Sequence, residues 1–311
     1  WSTPQTVTVT GVDDAVDDGD ITYSIVTAAA TSGDAGYSGV DASDVSVTTT
    51  DNDTAAITVT PTSGLTTTEA GGTATFTVVL TSQPTANVTI GVSSSNTAEG
   101  TVSPSSVTFT SGNWNTPQTV TVTGVDDSLD DGNVAYTIVT AAATSSDASY
   151  NGMNANDVSV TNTDNDTSAI TVSAISGNTT EAGGTATFTV VLTAQPTANV
   201  TVGLSSSNTA EGTVSPSSLT FTSGNWNTPQ TVTVTGVNDF VVDGAVAYTI
   251  ITAAATSADT NYNGLNPADV SVTNTDNDVA GITVTPTSGL TTTEAGGTAT
   301  FTVVLTSQPT A

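Results

Sequence analysis

Residues 118–140 read QTVTVTGVDDSLDDGNVAYTIVT. On either side of the middle, apolar residues alternate with Thr or another small residue. In 118–125 the alternation turns Val120 and Val122 one way and Thr119, Thr121 and Thr123 the other. A period of two describes a strand with one buried and one wet face. Between the two strands, Asp126, Asp127, Asp130 and Asp131 place four carboxylates in six consecutive residues. The stretch is therefore strand, acidic loop, strand.

Working outward, the same alternation recurs in AITVT (56–60), TATFTVVL (73–80), NVTIGVSS (87–94), SVTFT (106–110), VAYTIVTA (134–141) and DVSVTN (157–162). Gly, Pro, Asn and Asp turns separate these stretches, and no helical period appears. Seven short strands of this kind predict an all-β, two-sheet antiparallel sandwich of the immunoglobulin-like type. Thr and Ser are abundant and the apolar residues are mostly Val, Ile and Ala, a mix that favours strands over helices.

The chain repeats itself. WSTPQTVTVTGVDD, WNTPQTVTVTGVDD and WNTPQTVTVTGVND begin at Trp1, Trp114 and Trp226, spacings of 113 and 112 residues. TEAGGTATFTVVLT carries Glu69, Glu181 and Glu294, and TDND closes units at Asp53, Asp166 and Asp278. A period of this length marks an array of similar sandwiches. Two repeats are complete, 54–166 and 167–278, arranged head to tail. Residues 1–53 are the back of another repeat and 279–311 the front of one. Either the chain is a window on a longer array, or the part-repeats complete each other between copies. The window requires no special assembly, and Trp1 reads as a cut into a longer chain.

The 311 residues include 29 Asp and Glu and no Lys, Arg, His or Cys, for a net charge of −29. Phosphate contacts need cationic side chains, so nucleic acid is excluded as an ordinary partner. The same argument excludes anionic membranes. No apolar run approaches the length of a membrane span. Without His, Cys, Lys or Arg most catalytic devices are missing. Paired carboxylates serve glycosidases, but a loop repeated once per unit does not read as an active site, so the chain is read as no enzyme. The absence of Lys and Arg removes every trypsin-type cleavage point, which suits exposure outside a cell.

What neutralises the acids must come from elsewhere. An isolated loop Asp makes an Asx turn or keeps a surface soluble. Four close carboxylates repel one another unless a cation joins them. Ca²⁺ takes six to eight oxygen ligands, whereas zinc, copper and iron prefer the nitrogen and sulfur ligands this chain lacks. Sandwich topology allows one end to gather Glu69, Asp126, Asp127, Asp130, Asp131, Asp164 and Asp166, with Glu99 approaching. The equivalent residues are Glu181, Asp239, Asp243, Asp276 and Asp278 in the next repeat. In the part-repeats they are Asp13, Asp14, Asp17, Asp18, Asp51 and Asp53, and Glu294. Asn238 and Val242 stand where the preceding repeat has Asp126 and Asp130. Fewer charged ligands predict a weaker site in 167–278.

In TEAGGTATFTVVL, SVTFTSGNW and VTVTGVDDSLDDG the repeat resembles the Calx-beta domain family. The likeness is greatest to the threonine-rich tandem versions in very large bacterial surface proteins. That resemblance implies an immunoglobulin-like sandwich binding calcium at one end. It implies Glu69, the Asp126–Asp131 group, Asp164 and Asp166 as ligands. The family's acidic-aromatic pair after the third strand is missing, with Glu99-Gly100 near that place, and the Tyr-Asn-Gly loop is longer. Trp114 and Trp226 are expected to cap the sandwich core, and Tyr150 and Tyr262 to anchor a corner.

The function expected is a calcium-stiffened segment of an extracellular adhesin stalk or filament. Its partners would be calcium ions, neighbouring repeats and copies of itself. A carbohydrate- or protein-binding module at the cell surface is the alternative, and a calcium sensor is a third.

Overall fold

The computed structural model describes residues 1–310. It is all-β, with 22 strands and no helix among the described residues. The N-terminal segment holds β1 (Ile21–Ile25) and β2 (Val45–Thr49). The first complete repeat holds β3 (Ile57–Thr60), β4 (Leu65–Thr68), β5 (Thr73–Leu80), β6 (Val88–Ser94), β7 (Gly100–Ser103), β8 (Ser106–Phe109), β9 (Gln118–Gly124), β10 (Val134–Thr140) and β11 (Val158–Thr163). The second holds β12 (Ile170–Val172), β13 (Thr179–Thr180), β14 (Thr185–Leu192), β15 (Val200–Ser206), β16 (Gly212–Ser215), β17 (Ser218–Phe221), β18 (Gln230–Gly236), β19 (Val246–Thr252) and β20 (Val270–Thr275). The C-terminal segment holds β21 (Ile282–Thr285) and β22 (Thr302–Leu305).

The chain divides into two compact units. One comprises residues 1–127 with 132–165, the other 128–131 with 166 onward. In the first unit a four-stranded sheet, β3-β5-β9-β7, faces a five-stranded sheet, β4-β11-β10-β6-β8. In the second unit the sheets are β12-β14-β18-β16 and β13-β20-β19-β15-β17.

All seven expected strands are present in the first repeat, and two short ones join them: β4 and β7. Four residues of LTTT or GTVS carry too little alternation to be read as strands alone. Each is held by a neighbour. β7 pairs antiparallel with β9, Gly100 opposite Gly124. β4 pairs parallel with β11, Leu65 opposite Val160 and Thr68 opposite Thr163. That parallel pair is an exception in an otherwise antiparallel sandwich, and it matters for the acidic end.

The core follows the alternation. Phe76 lies opposite Val120 and Ala74 opposite Val122 across β5 and β9. Phe76, Val78, Val120, Val122, Phe109 and Ile138 are buried, as are Phe188, Val190, Val232, Val234, Phe221 and Ile250 in the second unit. Fully burying each such side chain contributes about 1.5–3 kcal/mol. Trp114 and Trp226 pack partly buried against the two cores, as expected of caps. Tyr262 is fully buried, and its hydroxyl donates to Ala194 O at 2.6 Å and accepts from Ala194 N at 3.0 Å. Tyr150 makes the same pair of bonds with Ser82. Both are corner anchors.

The part-repeats are less complete. Residues 5–11 repeat the QTVTVTG sequence of β9 and β18 but form no strand. No counterpart of β5 lies beside them among the described residues. Val7 is 81% exposed, whereas its equivalent Val120 is 0% exposed.

Candidate metal centre

The second unit shows how the strands assemble the acidic end. β13 runs parallel to β20, with Thr180 opposite Thr275. Parallel strands finish at the same end, so the residue after β13, Glu181, meets the residues after β20. Glu181 N donates to Thr275 O at 3.0 Å, and Asn277 N donates to Glu181 Oε2 at 3.1 Å. Antiparallel β16 and β18 supply the second meeting. Gly212 lies opposite Gly236, so Glu211, just before β16, sits beside the loop just after β18. Val237 N donates to Glu211 O at 2.9 Å.

Two carboxylate trios result. Glu181, Asp276 and Asp278 form one, and Glu211, Asp239 and Asp243 the other. In each, one carboxylate oxygen per residue lies within 4.8 Å of the others. The Glu in each is buried: Glu181 is 2% exposed and Glu211 6%. The equivalent positions of the preceding repeat are Glu69, Asp164 and Asp166, and Glu99, Asp127 and Asp131.

A buried amide links the trios to the sandwich. Asn274, 1% exposed, donates from Nδ2 to Glu211 Oε2 at 3.3 Å and to Val237 O at 3.0 Å. Its Oδ1 accepts from Thr179 Oγ1 at 3.0 Å. Thr179 Oγ1 in turn lies 3.1 Å from the Tyr248 hydroxyl. The ends of β13 and β18 approach so closely here that a Cβ on Gly236 would overlap Thr180 O and Asn274 Oδ1. Glycine is the residue that permits such backbone approach.

The electrostatics of a trio are uneven. Asp276 accepts from Asp278 N at 2.7 Å and from Gly244 N at 2.8 Å, and these backbone donors hold its carboxyl below the usual range. Burial pushes Glu181 above its usual range, and the charges of Asp276, Asp239 and Asp243 add to the rise. The cluster thus resists carrying its full charge without a counter-ion. Asp278 Oδ2 is buried with no hydrogen-bond partner. A buried orphan acceptor is rare in proteins. An all-oxygen donor set with one free buried oxygen fits a hard divalent cation such as Ca²⁺.

The sequence-predicted acids fall into distinct groups. Glu181, Asp239, Asp243, Asp276 and Asp278 are in the trios, and Glu69, Asp127, Asp131, Asp164 and Asp166 hold the equivalent positions one repeat earlier. Asp126 and Asp130 stand outside them. Asp126 Oδ1 accepts from Asn165 Nδ2 at 3.2 Å, and Asp130 Oδ2 accepts from Ser168 N at 2.7 Å. The weaker site expected in 167–278 rested on Asn238 and Val242, which occupy these same two outside positions. Asn238 keeps the amide contact, accepting from Asn277 Nδ2 at 3.0 Å.

In the N-terminal segment Asp51 accepts from Gly19 N at 2.7 Å and Asp53 N at 2.8 Å, as Asp276 does with its equivalents. The bond from Asp53 N, then that from Gly19 N, lowers its pKa. Burial, then Asp51, Asp13, Asp14 and Asp17, raises that of Asp53. Asp14 caps its own turn, accepting from Val16 N at 2.9 Å. No trio forms from Asp13, Asp14, Asp17, Asp18, Asp51 and Asp53, nor around the exposed Glu294. Residues 1–53 contain no Glu.

Glu211, the equivalent of Glu99, belongs to a trio although Glu99 was expected only to approach this end, and Asn274 was not singled out. The signal for both lay in the repetition itself: SNTAEG and VTNTDND recur at matching places in both repeats.

The chain is similar to several solved structures. The crystal structure of calcium binding domain CBD12 of CALX1.1 is 13% identical, with 71% of this chain and 99% of that one covered and a TM-score of 0.34. The crystal structure of CBD12 from CALX1.2 is 14% identical, covering 66% and 84%, with a TM-score of 0.30. Domains 5-6 of the S-layer protein SbsC are 21% identical, covering 71% and 97%, with a TM-score of 0.21. No curated protein matches the sequence. The Calx-beta domain family matches residues 50–166 and again 163–278. With both complete repeats matched, the chain belongs to the Calx-beta domain family.

Proposed function

We propose that this chain is a calcium-binding, non-enzymatic array whose repeats are stiffened by the cation, in the stalk of an extracellular adhesin or filament. The observation that carries the cation is the pairing of a buried Glu trio with the orphan buried oxygen of Asp278. In 167–278, Glu181, Asp276 and Asp278 would hold one ion and Glu211, Asp239 and Asp243 the facing position. In 54–166 the ligands would be Glu69, Asp164 and Asp166, with Glu99, Asp127 and Asp131. The match of both complete repeats to the Calx-beta domain family supports the calcium part of this reading. The stalk role, and the repeats 54–166 and 167–278 as its units, rest on near-identical tandem sequence, which suits reach more than switching.

Calcium bound only to the folded state stabilises by RT ln(1 + [L]/Kd), about 2.7 kcal/mol at a hundredfold excess over Kd. Melting of the full chain in millimolar calcium and in chelator, at matched ionic strength, measures this. An unchanged melting temperature overturns the cation reading. Stiffening is tested separately by small-angle scattering in calcium, in chelator, and in chelator with added sodium chloride. Salt screens repulsion over about 8–10 Å but supplies no coordination. If sodium chloride extends the chain as well as calcium does, the acids act only as a screened charge cluster.

A further inference from the structure

The acidic loop has a second side that the trios do not use. In the second unit, Gln195 N donates to Ser128 O at 2.6 Å. Ser168 N donates to Asp130 Oδ2 at 2.7 Å, and Asn261 Nδ2 donates to Asp130 O. The first unit contains the same arrangement one period earlier. Gln83 N donates to Ala15 O at 2.6 Å, Ala55 N to Asp17 Oδ2 at 2.8 Å, and Ser149 Oγ to Asp17 O at 3.4 Å. A third copy joins Gln308 N to Phe240 O at 2.6 Å and pairs Val241 with Gln308. Here Val242 stands in place of the carboxylate and lines a hollow with Ala280, Gly281, Ile282 and Leu305.

The loop acids therefore divide by position. Asp239 and Asp243, the equivalents of Asp127 and Asp131, turn toward the buried Glu211. Asp17 and Asp130 turn instead to the backbone N–H at the start of the following repeat. An ionised carboxylate accepting a backbone N–H makes a charge-assisted bond, stronger than a neutral one. A strand edge leaves such N–H groups without a ladder partner.

We propose that this side of the loop is a docking surface for the next repeat of the same array, with Asp17 and Asp130 as its latch rather than as cation ligands. What it recognises is an N–H ahead of the first strand, a Gln N–H three residues beyond the end of the TATFTVVL strand, and a side-chain donor at 149 or 261. The junction carrying Val242 is latched by the Gln308 bond and apolar contact alone.

The full chain has no cysteine, so nitroxide labels at Thr119→Cys and Thr231→Cys, both exposed positions, report the junction. Pulsed dipolar distances are read in chelator, so this arm stands whether or not the trios hold calcium. Asp130→Ala is expected to widen the distance distribution about twofold by freeing a hinge. Asp130→Asn retains an acceptor oxygen and is expected to keep most of the wild-type width. Calcium titration of Asp130→Ala is expected to leave affinity within about twofold, since charged ligands set affinity and none is lost. A distribution unchanged by Asp130→Ala overturns the latch. A fall in calcium affinity of about tenfold or more (about 1.4 kcal/mol) returns Asp130 to the ligand set and overturns it equally.

Discussion

Replacing Asn274 by Ala tests the link between the acidic end and the fold. The side chain is buried and makes three hydrogen bonds: to Glu211 Oε2, to Val237 O and from Thr179 Oγ1. Its removal takes a donor from a carboxylate and a carbonyl in a place water reaches poorly, and an acceptor from Thr179 Oγ1, which keeps its contact with the Tyr248 hydroxyl. Neutral bonds contribute about 1 kcal/mol net each and bonds to charged groups about 1.5–3, so the loss should be about 3–5 kcal/mol. With a urea m-value of about 1–2 kcal/mol/M, the midpoint should fall by about 1.5 M or more. Urea unfolding followed by Trp226 fluorescence, with Trp1 and Trp114 replaced by Phe, isolates the transition of this repeat. The Glu211 bond can be separated by a double-mutant cycle with Glu211→Gln, where contacting groups should couple by about 0.5–3 kcal/mol. A loss below about 1 kcal/mol, or no coupling in the cycle, would refute the bridging role.

Asp259 gives a pH-dependent test away from the trios. Burial raises its pKa, but the Thr197 N–H at 2.8 Å and the Asn261 N–H at 2.9 Å outweigh burial and leave it lowered. A carboxylate lowered in the folded state stabilises above its unfolded pKa and loses that contribution as pH falls through the folded value. The stability difference between wild type and Asp259→Asn should be constant from neutrality down to about pH 5 and shrink below about pH 4; denaturation at several pH values checks it, and a gap that widens in acid would contradict it. Tyr262→Phe should cost about 2–4 kcal/mol, because both Ala194 N–H and C=O lose their partner at a buried corner; the Trp226 unfolding transition measures it.

Much of this protein was legible in the chain itself. Period-two alternation gave each of the seven main strands, because a strand with one wet face must alternate. Near-identical repetition set the expected repeats, and the missing cationic side chains set the expectation that the acids take an outside partner. The same residues could not decide pairing. QTVTVTG is a strand at 118–124 and 230–236 and not at 5–11, since a strand exists only where another backbone supplies its hydrogen bonds. TATFTVVL likewise forms an eight-residue strand at 73–80, but only Thr302–Leu305 of its copy at 298–305 is strand, and Phe301 is 59% exposed there. Nor could the sequence sort the acidic loop. Which carboxylate meets a buried Glu and which meets a neighbouring N–H depends on a parallel pair, β13 with β20, and an antiparallel one, β16 with β18. Those pairings join residues 95 and 24 positions apart (Thr179 with Asn274, Gly212 with Gly236). Contacts at such separations leave no local periodicity to read, so only the folded chain places Glu211 and Asn274 at the site and Asp130 outside it.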